Sequence, residues 1–142
     1  MKRLFLGVPI ALALASCAIP LDRDAAKSIP TELAVSKLRE SLPKAMYVSC
    51  SDPWVSINQS DIKAWSVTDE ALEFRSSRKE PFRLLWSASR GAELSKIPLQ
   101  YEVRVYVAVQ GNPRKDLYRF YWKDEAEARR AAELFESLRG DR

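Results

Sequence analysis

Few side chains in this sequence have the chemistry to form or break covalent bonds. Cys17 is one: it closes an apolar run over residues 4–15 that Lys2 and Arg3 precede, with Ala15 and Ser16 leading up to it. Charge, apolar segment and small residues thus follow in secretory order, and the sulfur placed at their end can become a thioether. Two SxxK strings, Ser41 to Lys44 and Ser76 to Lys79, have the spacing by which a lysine activates a serine on a helix. The first spans Pro43, the second lies in a polar loop, and neither has the companion motifs of such enzymes. The chain contains no histidine, which excludes Ser-His-Asp and Cys-His pairings and every histidine-based metal site. Of its four glycines only Gly91 and Gly111 lie well inside the domain, so no phosphate-cradling loop is present. Asp52, Asp61, Asp69 and Glu70 fall in loops or at strand ends, where solvated turn roles explain them. No catalytic residue, metal or cofactor is expected, and the chain reads as non-enzymatic.

The apolar run is shorter than the roughly 20 residues a bilayer-spanning helix needs, and it contains Gly7 and Pro9. It is an export signal rather than a lasting anchor. Leu14, Ala15, Ser16 and Cys17 resemble the lipobox of bacterial lipoproteins, an apolar residue, two small residues and cysteine. The resemblance implies that Cys17 carries a diacylglyceryl group, that the signal is cut before it, and that the new amino terminus is acylated. Ala18, rather than Asp, implies delivery to the outer membrane of a Gram-negative cell, with the domain facing the periplasm. Two or three acyl chains, at about 0.8 kcal/mol per buried methylene, hold a protein durably on a bilayer. An ordinary secretory signal cut near Ser16 is the alternative. The implied organisation is a signal over residues 1–16, a lipidated cysteine and tether over 17–30, and a single α+β domain over 31–142.

Removing residues 1–16 from the 142 leaves 126, enough for one domain that buries about two thirds of its unfolded surface. Lys and Arg fall from 23 to 21 when Lys2 and Arg3 leave, against 19 acidic residues, so the formal charge drops from +4 to +2. A balance this weak does not point to nucleic acid. With Cys17 committed to lipid, Cys50 is the one remaining thiol, which excludes an intramolecular disulfide and CxxC zinc sites. It reads as a small buried residue in a strand.

Residues 18–30 mix Pro, charge and small side chains without a period, which suits a tether. In TELAVSKLRESLP, Val35, Leu38 and Leu42 recur at helical spacing, Thr31 is placed to cap, Glu40 and Lys44 stand four apart, and Pro43 marks the end. The signals then change to strand: YVSC, WVSI and IKAWSV, a turn at TDEA, LEFRS with Leu72 and Phe74 on one face, then FRLLWSA after the loop SSRKEP. YEVRVYVAV is the clearest strand, with Tyr101, Val103, Val105, Val107 and Val109 on one side. QGNPRKD reads as a loop too long for the tightest turn, and LYRFYW as its hairpin partner, with Tyr118, Phe120 and Trp122 opposite Arg119 and Tyr121. Asp124 and Glu127 have capping-box spacing, Ala128, Ala131, Phe135 and Leu138 form an apolar stripe, Glu125 and Arg129 stand four apart, and Gly140 is placed to end the helix.

Helix, antiparallel strands, then a C-terminal amphipathic helix of about four turns is an order that resembles the pleckstrin-homology-like superfamily. FRLLWSA, YEVRVYVAV, LYRFYW and KDEAEARRAAELFESLR carry the likeness, over roughly residues 54–139. It implies a bent antiparallel sheet or partly open barrel closed by the last helix; an open sheet with both helices on one face is the alternative. It also directs attention to Arg75, Arg78 and Lys79, a basic loop of the kind that meets anionic lipid headgroups there, with Arg83 close by. The four tryptophans are expected mainly in the core. Tyr106 and Tyr121 fall on strand faces opposite the apolar sets, near Arg104 and Arg119, a mixed aromatic and basic set whose simpler reading is cross-strand stabilisation and whose functional reading is a face for a protein partner. The expected role is a binding or scaffold module in the envelope, with a carrier or sensor of a lipid-like or other small ligand as the alternative.

Overall fold

The computed structural model describes residues 17–78 and 80–142, so residues 1–16, expected to be an export signal, and Lys79 lie outside the described residues. Alternation makes the central strands. β8 (Gln100–Val109) buries Val103, Val105 and Val107 on one face and turns Arg104 and Tyr106 to the other. β9 (Asn112–Trp122) pairs with it antiparallel, setting Phe120 opposite Val103 and Arg119 opposite Arg104. β7 (Ser89–Ile97) joins the far side of β8, β2 (Tyr47–Cys50) the far side of β9, and β1 (Cys17–Ile19) and β3 (Val55–Asn58) form the edges, in the order β1-β7-β8-β9-β2-β3. A second antiparallel sheet runs β4 (Ile62–Val67), β5 (Ala71–Ser76), β6 (Phe82–Leu85). Helices α1 (Arg23–Lys27), α2 (Thr31–Ser41) and α3 (Glu125–Ser137) complete the α+β fold. The described strands form two sheets and close no barrel.

One core joins these layers. Phe120 of the large sheet lies 5.0 Å from Phe135 of α3 and 6.5 Å from Trp65 of the small sheet, which in turn lies 4.9 Å from Phe74, all measured between ring centroids. Both α3 and the small sheet therefore pack on the same, inner face of the large sheet. The stripe Ala128, Ala131, Phe135 and Leu138 is buried as expected, and the Asp124 carboxylate accepts the Glu127 N–H at 3.0 Å. Glu127 does not complete the capping box; its side chain meets Lys44 Nζ at 3.3 Å and ties α3 to the end of α2. The Glu125 to Arg129 pair forms at 3.6 Å. Gly140 donates to the Ser89 carbonyl at 2.9 Å, so close to the Ser87 carbonyl that an added Cβ would collide with it.

Several expectations are corrected. Residues 17–30 are docked rather than a free tether: Cys17 pairs with Lys96 and Ile19 with Leu94, Asp22 caps α1, and Ala26 is fully buried. A three-residue strand and a five-residue helix are too short to show a period, so nothing in the pattern announced them. Thr31 is the first helical residue and Pro30 the cap position, with no side-chain hydrogen bond there. Residues 110–116 are not a loop: Val109 pairs with Asn112 across Gln110 and Gly111, whose φ of 82° lets the chain reverse in two residues. β7 carries no clear strand signal in the sequence, because Gly91 interrupts it and its buried apolar side chains, Ala92 and Leu94, are few. Trp86 and Trp122 are buried and Trp65 partly so, but Trp54 is 46% exposed.

Candidate functional site

The outer face of the large sheet gathers the polar residues that alternate with its core. Strand register builds it in rows: Glu102 beside Tyr121 beside Tyr47; Glu93 beside Arg104 beside Arg119 beside Ser49; and, past a bulge in β9, Tyr106 beside Asp116. Arg104, Tyr106, Arg119 and Tyr121, the residues singled out from alternation, thus do come together. Because α3 and the small sheet occupy the inner face, the outer one is covered, among the described residues, only by its own side chains and the β2–β3 loop.

Those side chains interlock. Tyr121 Oη donates to Glu102 Oε2 at 2.9 Å, and Arg104 Nε donates to Oε1 at 2.6 Å, leaving Glu102 only 4% exposed. Tyr121 stacks on Tyr47 with centroids 4.3 Å apart, and Gln100 donates to the Tyr47 hydroxyl at 2.7 Å. Asp116 holds Arg119 at 2.7 Å, and the Arg119 guanidinium lies 4.3 Å from the centre of the Trp54 ring. Arg114 lies 3.7 Å over the Tyr106 ring and 3.0 Å from Glu93. Opposite charges and cation–π stacking hold each guanidinium in one orientation.

Titration follows from this packing. Burial pushes the Tyr121 hydroxyl up to about 12, helped by Glu102 beside it. Tyr106 is raised by burial and by Glu93. The Tyr106 hydroxyl and Arg114 hold the Glu93 carboxyl below its ordinary range against the opposing effect of burial. Arg119 and Arg104 are raised, chiefly by their bonds to Asp116 and Glu102, so both stay charged.

The expected aromatic and basic surface is therefore a charge-balanced one: Arg104, Arg114 and Arg119 are met by Glu93, Glu102 and Asp116. Tyr121 is buried rather than exposed, at 6%, because β2 brings Tyr47 against it. Sequence reasoning missed Trp54, Glu93, Glu102, Arg114 and Asp116. Glu102 was legible, since it alternates with Arg104 and Tyr106; the others required the register of neighbouring strands. Such a face presents oriented guanidiniums and an exposed indole.

The remaining candidates lie elsewhere. Arg75 is exposed on β5 and Arg78 follows in the next loop, so they belong to the small sheet and do not join the Arg104 cluster. Arg83 pairs with Glu73 at 3.0 Å on the adjacent strand. Cys17 is exposed at the start of β1. A second buried carboxylate, Glu136, accepts the Ala92 N–H at 3.0 Å and meets Arg23 and Arg139, each at 2.8 Å. Burial pushes its carboxyl up, but Arg139, the Ala92 N–H and Arg23 outweigh that and hold it below the ordinary range. It borders an open cleft of about 610 Å³ whose other lining residues are Arg23, Lys27, Arg139, Asp141 and Arg142.

No protein-family model, curated protein or solved structure matches this chain. The functional reading rests on the residues themselves.

Proposed function

We propose that this protein is a lipoprotein of the Gram-negative outer membrane, anchored through Cys17, whose domain binds an envelope protein in the periplasm without catalysing a reaction. The observation that carries the binding role is Trp54: an indole 46% exposed, stacked on Arg119, on a sheet face that no helix or strand covers among the described residues. Tryptophan and arginine dominate binding energy at protein interfaces, and here both are already held in place, so little side-chain entropy is lost on docking. The lipobox Leu14, Ala15, Ser16, Cys17 supports the anchor. A C-terminal helix lying against antiparallel sheets supports the likeness to pleckstrin-homology-like domains. Phe120, Trp65 and Phe74 fill the space between the sheets, which favours a scaffold over a carrier of lipid-like ligands. Arg75, Arg78 and Lys79 remain a lesser surface for anionic headgroups.

A photo-crosslinking residue placed in intact cells at position 54 or 106 should give one and the same protein adduct, while position 37 on α2 gives none. Arg119→Ala should weaken that adduct about tenfold or more, the scale of an interface hot spot. Equal adducts from all three positions, or none, would remove the reading. Cys17→Ser should abolish fatty-acid labelling and release the protein from membranes; persistent labelling would sink the anchor.

A further inference from the structure

We infer that the β7–β8 turn, tipped by Leu99, inserts into the bilayer beside the lipid on Cys17 and stands the large sheet upright on the membrane. This rests on the lipoprotein reading above. Leu99 is 96% exposed, whereas the other exposed large apolar side chains, Trp54, Leu33, Leu85 and Val109, lie between 36% and 47%. It is also one of two described non-glycine residues at positive φ, at 68°. Ile97 pairs with Gln100, so Pro98 and Leu99 are the two central residues of the turn. Proline followed by a positive φ matches a type II turn, whose second central position ordinarily takes Gly or Asn. A leucine there is unfavourable for the folded domain twice, by backbone strain and by exposure. A use outside the domain accounts for both.

Register identifies that use. Cys17 pairs with Lys96, and β1 runs away from the turn as it proceeds to Ile19, so the lipid-bearing end of the strand faces the same way as Leu99. The turn projects two residues past the Cys17 row, roughly 7 Å at the rise of a strand. That reaches the depth at which apolar side chains enter the boundary between headgroups and acyl chains. Lys96 is exposed in the Cys17 row, and Lys123 is exposed just past Trp122, which ends the same row on β9. Both lysines are placed to meet anionic headgroups. The acidic neighbours at this end are engaged, Asp124 in capping α3 and Glu127 with Lys44. Trp54 follows Cys50, which pairs with Tyr118, four residues along β9 from Trp122. It therefore lies about 13 Å or more from the membrane row, with the outer face free for a partner.

The test uses the full lipidated chain, purified from cells and placed in phosphatidylethanolamine and phosphatidylglycerol vesicles, with an environment-sensitive dye on Leu99→Cys or on Gln110→Cys at the opposite end of β8. Cys50 is fully buried, so the dye goes to the introduced thiol. Intact mass reports whether Cys17 is acylated. With Cys17 acylated, the dye at position 99 should brighten several-fold and be quenched by spin-labelled lipids, while the dye at 110 behaves as in water. Water-like emission at 99 on an acylated chain would overturn the insertion and leave the lipoprotein reading standing. Quenching at both positions would overturn the upright stance. An unacylated Cys17 would overturn the lipoprotein reading and this inference with it.

Discussion

Glu102 and Glu136 are buried to the same extent, each 4% exposed, yet the protein uses them differently. Glu136 sits where three elements meet, binding Arg23 of α1, the Ala92 amide of β7 and Arg139 beyond α3, so it staples the N-terminal segment and the last helix to the sheet. Among the described residues Glu102 binds neighbours within the large sheet, Tyr121 and Arg104, on the face opposite α3 and the small sheet. A buried carboxylate that joins three elements serves stability, because losing it unties α1 and the last helix from the sheet. A buried charge within an open face serves the shape of that face, because Arg104 can turn back to solvent.

Mutation and titration test this contrast, in decreasing order of expected effect. Glu136→Ala should cost about 2–3 kcal/mol, since the buried Ala92 amide loses its bond to a charged acceptor and Arg23 and Arg139 lose their shared partner. The loss should appear as a lower urea midpoint with α1 released to proteolysis. Glu102→Gln should cost about 1–2 kcal/mol, the scale of one hydrogen bond with a charged group, and α1 should stay protected. Equal losses in the two variants would erase the distinction.

Acid should separate the same pair more finely. Glu136 has its carboxyl held below 4.5, so the unfolded chain takes up the proton first; its contribution is full above that value and is lost as pH falls through the lower folded one. The stability gap between wild type and Glu136→Gln should therefore narrow below about pH 4.5. A gap unchanged at pH 3 would refute the assignment. In alkali the outer face and the core report together. Tyr118 and Tyr121 are both pushed up from 10.0 to about 12, mainly by burial. Their neutral forms favour the fold, so that contribution is present below pH 10 and lost as pH rises toward 12. Phenolate absorbance should show these two among the five tyrosines ionising last, and Tyr121→Phe should delete one of them.

The smallest stability effect belongs to the indole proposed for binding. Trp54→Ala should change stability by about 1 kcal/mol or less, as for an exposed cation–π pair. A loss as large as that from Glu136→Ala would make Trp54 a structural residue rather than a binding one.

Much of the central fold was legible because its signals are periodic. Val103, Val105 and Val107 alternate over one strand, and Ala128, Ala131, Phe135 and Leu138 recur at helical spacing, so burial of one side was written into the order of residues. The site was half legible for the same reason: alternation put Arg104, Tyr106, Arg119 and Tyr121 on polar faces, but not which residues stand beside them. Asp116 joins that face only through a bulge, and Tyr121 is buried only because Tyr47 of β2 stacks on it.

The sequence by itself determined the local matters: an amphipathic last helix, alternating strands, and a cysteine that follows an apolar run, each set by neighbours a few residues apart. Tertiary structure alone decided the rest. It docked residues 17–30 through Ala26 and Arg23, paired Cys17 with Lys96 beside the Leu99 turn, and divided the strands into two sheets. Those outcomes depend on which edges and carboxylates meet across long stretches of chain, as Arg23 meets Glu136, and no local pattern records such meetings.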